Sequence, residues 1–331
     1  MNEKISIIGG GAWGTTLAQV LADNGHLVLV CDNNIEYVNR IKQHKHSVFD
    51  KNLNPNIQAT LCLSEALLYS ELIILCIPAQ KIRLLLRKIN LILKKQSKNF
   101  INASKGIEVA SAKTVQEIIK EELDLFKIKN YGCIMGPSHA EEVINCYLTF
   151  LVAASSNSKF TNFISHIFTN ATYLKVVCSN DVYGCEICSA FKNVLSLISG
   201  ILDIKNFKNN AKSAFFSIAM LELYELMKYL RFSLETILGV AGLGDLIVTS
   251  FNEDSRNYRA GIQIGLGTDI KKIYLNSYQT IEGINNLKAF YHLILEKNIK
   301  LPIIKSAYQV VIEKKPANYL LETIINKFIH K

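Results

Sequence analysis

The chain is 331 residues long, 49% hydrophobic and 20% charged, with a formal charge of +9 at pH 7. That length exceeds what a single core fills and that composition excludes a disordered chain, so two folded domains are expected. The lysines are scattered (Lys42, Lys45, Lys94, Lys95, Lys271, Lys272, Lys314, Lys315) and no zinc-finger, RNA-binding or basic-zipper pattern accompanies them, so no nucleic acid is expected as a partner and the surplus charge is left to draw in small anions.

The first element is a strand, Lys4-Ile5-Ser6-Ile7-Ile8, running into Gly9-Gly10-Gly11-Ala12-Trp13-Gly14 and a helix that continues through Thr15-Thr16-Leu17-Ala18. Strand, Gly-x-Gly-x-x-Gly and helix in that order form a dinucleotide-binding fingerprint. Gly9 permits the tight turn, Gly11 the approach of a pyrophosphate and Gly14 the packing of helix on strand, while free helix N–H groups face the anion. A second strand, Leu27 to Cys31, ends at Asp32, where a carboxylate about 20 residues past the glycines accepts hydrogen bonds from ribose hydroxyls and repels a 2′-phosphate. Asn33 and Asn34 offer no arginine to reverse that preference, so NAD is expected ahead of NADP; the alternative is that Asp32 only starts a turn with the asparagines.

Strand-like and helix-like segments then alternate: strand 72–77, helix 80–93, strand 99–103, helix 112–125, strands 131–135 and 149–154, helix 159–168 and strand 173–177. This pattern implies a parallel sheet wound on both faces, with ligands outside the carboxyl ends of the strands, where Pro78, Lys105 and Gly136-Pro137-Ser138 fall. Beyond about residue 180 helical periodicity takes over, at 182–200, 211–230, 234–238, 259–265, 283–296, 303–313 and 319–329. The expected fold class is α/β: a doubly wound Rossmann-type parallel sheet domain over 1–180, followed by an all-helical domain over 181–331.

No apolar stretch near 18 residues runs uninterrupted, and the first strand follows at once without a basic segment, apolar core and cleavage site. Neither a membrane span nor export is therefore expected, and the expected place is the cytoplasm. The eight cysteines lie mostly in apolar runs and read as buried free thiols of a reduced compartment; Cys185-Glu186-Ile187-Cys188 has a redox or metal spacing but no second pair. His44 and His46 flank a lysine in a polar stretch and read as solvated, so no metal site is expected.

Several short segments carry chemistry. Ser104-Lys105-Gly106 places a lysine at a strand end, and Gly136-Pro137-Ser138-His139-Ala140 offers backbone amides and a hydroxyl in a turn. Ala190-Phe191-Lys192-Asn193-Val194 places a lysine inside a mostly apolar helix, the most telling position, because a buried ammonium is costly without a partner or a task. Gly242 to Thr249 reads as an apolar loop holding one carboxylate, Asp245. Asp254 or Ser255 then caps a helix whose start sets Arg256 beside free amides, a seat for phosphate. Singly, each has a structural reading: Lys192 reaching to water, Asp245 capping a turn, Arg256 pairing with Glu253.

Taken in order, Gly-x-Gly-x-x-Gly, Ser-Lys-Gly, Gly-Pro-Ser-His-Ala-Glu-Glu, Lys-Asn-Val, Gly-Leu-Gly-Asp-Leu, Ser-Arg-Asn and Glu-Gly resemble the bacterial-type NAD(P)-dependent glycerol-3-phosphate dehydrogenases from Lys4 to about Tyr319. The resemblance implies reversible hydride transfer between nicotinamide and C2 of dihydroxyacetone phosphate, giving sn-glycerol 3-phosphate for phospholipid synthesis. It makes Lys192 the proton donor or acceptor at the C2 oxygen, with Lys105 and Asp245 lining the same site. Gly136, Ser138, Asn193 and Thr249 count with the substrate positions, and Ser255, Arg256 and Asn257 with the phosphate. Ala12, Trp13, Asn33, Lys105, Ala140, Arg256, Thr280 and Glu282 join Gly9, Gly11, Gly14 and Asp32 as cofactor positions.

A second cation beside a buried lysine lowers its pKa toward neutrality, so Lys105 would ready Lys192 and stabilise the alkoxide while Asp245 orients the pair. The chain departs from the family pattern at Phe49-Asp50-Lys51, where Tyr-Leu-Pro is usual, and at Ile218-Ala219, where Arg-Gly is frequent. A related two-domain reductase of another hydroxy acid, a non-catalytic NAD-binding sensor, and a homodimer as against a monomer stay open.

Overall fold

The computed structural model describes residues 2–204, 207–250, 255–275 and 281–329. They divide into two compact units, a sheet unit of Met1–Ser104 with Val115–Cys185 and a helical unit of Lys105–Thr114 with Glu186–Lys331. The segment that carries Lys105 thus belongs with the helices, although it follows a strand in sequence.

In the sheet unit the strands are β1 (Lys4–Ile8), β2 (Leu27–Cys31), β3 (Ile57–Thr60), β4 (Leu72–Leu75), β5 (Lys98–Asn102), β6 (Ile128–Met135), β7 (Thr149–Ser155) and β8 (Leu174–Ser179). They form one sheet in the order β3-β2-β1-β4-β5-β6-β7-β8. Neighbours are parallel except β6 and β7, which pair antiparallel from Gly132↔Ser155 to Met135↔Val152. Residues 136–148 between them carry only the five-residue helix Ala140–Ile144. A connection without a full crossover helix brings the next strand back in the opposite sense.

Successive side chains leave a strand on opposite faces, and here both faces are apolar. Ile5 and Ile7 of β1 join Leu17 and Leu21 of helix Ala12–Asp23 and Ile164 of helix Ser158–Phe168 in one core. Ile8, with Ile73 and Leu75 of β4 and Phe100 of β5, joins Ile82, Leu86 and Ile89 of helix Ala79–Leu93 and Ile118 of helix Val115–Glu122 in another.

The helical unit takes up helix Val182–Asp203 from Glu186 onward, then Asn209–Leu230, Leu234–Leu238, Asp245–Ser250, Arg256–Gly265, Ile270–Leu275, Glu282–Glu296, Pro302–Val311 and Ala317–Ile329. The segment expected as an apolar loop around Asp245 is instead a π-helical turn, Val240–Gly244, leading into helix Asp245–Ser250. Gly239, Gly242 and Gly244 depress helix propensity there, which hides the helix from a reading by period.

Among the described residues one helix, Val182–Asp203, is long and apolar enough to cross a membrane, with a mean hydropathy of 1.4; that window is wholly buried in the protein, as in a core helix. All eight cysteines are free. Cys31, Cys133, Cys185 and Cys188 are buried as expected, whereas Cys62, Cys146 and Cys178 are exposed and Cys76 is intermediate.

One buried carboxylate ties the later helices together. Glu222 of Asn209–Leu230, 1% exposed, accepts the amides of Ile303 (2.8 Å) and Ile304 (3.3 Å) at the start of Pro302–Val311, and Lys327 Nζ at 2.7 Å. Burial pushes its pKa up, against the pull of Lys327 and the two amides. Glu222→Ala strands all three donors, and urea unfolding should show a loss on the order of 3 kcal/mol.

Candidate active site

At the glycine turn Gly9 has a φ of 114°, and a Cβ there would lie 2.2 Å from the Cys76 carbonyl oxygen. A Cβ on Gly14 would lie 1.9 Å from the Gly9 oxygen, so both positions require glycine. A Cβ on Gly11 would meet nothing within 4 Å. Gly11 is also the N-cap of helix Ala12–Asp23, and no side chain caps the first amides. The Trp13 indole N–H is buried with no partner. Open space over Gly11, uncapped amides and an orphaned indole N–H fit a bound dinucleotide at this turn.

Asp32 Oδ2 accepts Gly10 N at 2.6 Å, and its Oδ1 accepts Asn34 N at 2.8 Å. The turn with the asparagines therefore forms, and the same carboxylate braces the glycine turn. Asn34 Oδ1 caps helix Ile35–Lys42, and Asn33 is exposed. Gly136 has a φ of 128°, the Ser138 hydroxyl donates to its carbonyl at 3.1 Å, and Ala140 opens helix Ala140–Ile144.

His44 is exposed, but His46 is fully buried, correcting the solvated reading. Its Nδ1 accepts the amides of Val48 (3.1 Å) and Phe49 (3.0 Å), its Nε2 lies 3.2 Å from Thr16 Oγ1, and its ring stacks on Phe49. Burial lowers its pKa to about 4, so it is neutral near pH 7. Thr15 Oγ1 bonds the Gly10 carbonyl at 2.9 Å and Ser47 Oγ at 2.8 Å. The loop holding Phe49-Asp50-Lys51 is thereby fastened to the first turn of the dinucleotide helix. Nothing in a lysine-flanked polar stretch announced this.

In the helical unit the predicted site residues converge. Lys192, on the apolar helix Val182–Asp203, has a side chain only 8% exposed, and its Nζ donates to Asp245 Oδ1 at 2.6 Å and Thr249 Oγ1 at 2.8 Å. Asp245 is wholly buried, and its Oδ2 accepts Lys105 Nζ at 3.2 Å. Asp245 and Thr249 lie one turn apart on helix Asp245–Ser250, and the Thr249 hydroxyl donates to the Asp245 carbonyl at 2.7 Å. Its proton is committed there, so the Thr249 oxygen can only accept from Lys192. Burial, opposed by Asp245 and reinforced by Lys105, lowers the Lys192 pKa to about 7.

Asn193 Oδ1 accepts Asn257 Nδ2 at 3.0 Å, Asn193 Nδ2 donates to the Lys105 carbonyl at 3.4 Å, and Asn257 Oδ1 accepts Gly283 N at 2.9 Å. Ser255 is the N-cap of helix Arg256–Gly265, so Arg256 stands exposed at its first residue. Glu282 opens helix Glu282–Glu296. Thr280 and Asp254 lie outside the described residues. Sequence reasoning missed Asn286, fully buried, which accepts Ile107 N at 3.2 Å and donates to the Ala190 carbonyl at 3.1 Å. It joins the Lys105 segment to the Lys192 helix; an asparagine among the apolar residues of its helix is the only signal that would have found it.

The N-terminal and C-terminal family descriptions "NAD-dependent glycerol-3-phosphate dehydrogenase" match residues 4–161 and 181–322. A Phytoplasma mali protein named glycerol-3-phosphate dehydrogenase (NAD(P)+) is 52% identical over 324 residues, covering 98% of this chain and 97% of its own. The protein of the same name from Acholeplasma laidlawii is 39% identical over 324 residues, with coverage of 98% and 97%. A crystal structure of glycerol-3-phosphate dehydrogenase from Coxiella burnetii shares the fold with a TM-score of 0.91 at 24% identity, covering 99% of each chain. A ketopantoate reductase from Ralstonia eutropha, at 14% identity, reaches only 0.60 while covering 97% of this chain and 99% of its own. With two family descriptions spanning both units and close relatives matched almost end to end, the chain belongs to the NAD-dependent glycerol-3-phosphate dehydrogenase family.

Proposed function

We propose that the chain catalyses reversible hydride transfer between NAD(P)H and C2 of dihydroxyacetone phosphate, interconverting it with sn-glycerol 3-phosphate, a precursor of phospholipids. The observation that carries this reading is the buried array of Lys192, Asp245 and Lys105. The dinucleotide, which Gly9, Gly11, Ala12, Trp13, Gly14, Asp32, Asn33 and Ala140 of the sheet unit would hold, supplies or accepts the hydride when bound.

The protein's own part is proton transfer, charge stabilisation and positioning. Asp245 and Thr249 take two of the three N–H groups of Lys192, and the third serves the C2 oxygen, which gains a proton as its carbon is reduced. Lys105 sets a second cation where negative charge grows on that oxygen. Arg256, at the start of the helix that Ser255 caps, holds the phosphate as a remote handle together with Asn257. Asp32 supports NAD over NADP, and the eight free thiols are consistent with a cytoplasmic location.

With NADH and dihydroxyacetone phosphate the purified protein should oxidise NADH, and Lys192→Ala should lose roughly 10²- to 10⁴-fold in kcat. An inactive parent, or a variant equal to it, overturns the reading. The Lys192 pKa of about 7 sets the sign of the pH dependence. Ketone reduction needs the ammonium and should fall as pH rises above about 7, whereas alcohol oxidation needs the neutral amine and should rise over the same range. Initial rates between pH 7 and 9, above the phosphate's second ionisation near about 6, test both limbs. In Asp245→Asn the anion that holds the Lys192 pKa up is gone, so the reduction limb should move to lower pH. Turnover with NADPH should trail turnover with NADH, and Asp32→Ser should narrow the gap while weakening both, because Asp32 also braces Gly10.

A further inference from the structure

Ser196 stands one helical turn beyond Lys192 and is fully buried, yet none of the motifs includes it. Its hydroxyl donates to the Thr249 carbonyl at 3.2 Å and lies 2.8 Å from Ser255 Oγ. Proton accounting fixes the direction of this chain. A carbonyl only accepts, so the Ser196 proton goes to Thr249, and the bond between the two serines must carry the Ser255 proton. Ser255 Oγ is left to accept Tyr258 N at 3.4 Å as the cap of helix Arg256–Gly265. Thr249 at the other end is the residue that accepts from Lys192. The two helices touch backbone to backbone, since a Cβ on Gly200 would lie 2.0 Å from the Tyr258 carbonyl oxygen.

We propose that Ser196 is a positioning residue that couples the two ends of the substrate site, holding Thr249 at Lys192 and Ser255 at the start of the phosphate-binding helix in one register. It pins both sides of the stretch between Thr249 and Ser255, so that phosphate seated at Arg256 fixes where the ketone oxygen meets Lys192. The inference rests on the proposed reaction and adds a residue to it.

The test compares dihydroxyacetone phosphate with dihydroxyacetone, the same ketone without its phosphate, in the full-length protein with NADH. Ser196→Ala should lower kcat/KM for the phosphorylated ketone about tenfold and that for dihydroxyacetone, which lacks the phosphate arm, only about threefold. A residue that only supports the fold would lower both alike, and that result overturns the proposal. Ser255→Ala and the double variant complete a cycle. Because the two hydroxyls share one bond, the double variant should lose less than the sum of the two single losses, and strictly additive losses overturn the coupling. Ser196→Thr, which restores the hydroxyl, should recover part of the loss, and unfolding curves for each variant separate a folding defect from a positioning one. An inactive parent removes the reaction itself; an active parent with an unaffected Ser196→Ala removes only this role.

Discussion

Asp245 places one carboxylate, wholly out of water, between two ammonium groups. Burying charges is costly, and only close, well-directed partners offset the loss of hydration. Much of the helical unit follows from that requirement. Helix Asp245–Ser250 presents the carboxylate and Thr249 from successive turns, and Asn193 and Asn286 secure the segment bearing Lys105 against the Lys192 helix. The same balance sets the chemistry. Lys105 and burial draw the Lys192 pKa down, Asp245 opposes them, and the result near 7 leaves a group able to give and take a proton.

The sheet unit solves a different problem, which is to present backbone rather than side chains to an anion. Its glycine turn is braced from several directions: Asp32 takes the Gly10 amide, Thr15 and Ser47 share a hydroxyl bond, and neutral His46 accepts two loop amides beside Thr16. Preorganisation of this kind spares bound phosphate the cost of ordering the turn. Phe49 stacks on the His46 ring and so adds an aromatic contact to the same loop.

The sheet was legible because its strands are buried on both faces and read as apolar runs, as in Leu72 to Leu75, and because the glycines require their spacing. β3 escaped because four residues, Ile57 to Thr60, are too few to show a period. Lys192 stood out as a cation in an apolar helix, and Asp245 as a lone carboxylate, but the helix around Asp245 was masked by its glycines. Asn286 and Ser196 left little trace because their partners lie far off in sequence, and His46 because Thr16 reaches it only once the loop is folded. A buried histidine and a solvated one look alike until the loop is folded.

The helical unit is discontinuous, drawing Lys105–Thr114 from the middle of the sheet sequence. A gene fragment starting at Glu186 would encode nearly all of its helices and lack one of the two cations on Asp245. The two units are therefore not interchangeable modules: grafting this helical part onto another dinucleotide-binding domain would have to carry a ten-residue excursion with it, and a recombination event at the obvious boundary would leave Asp245 without its second cation.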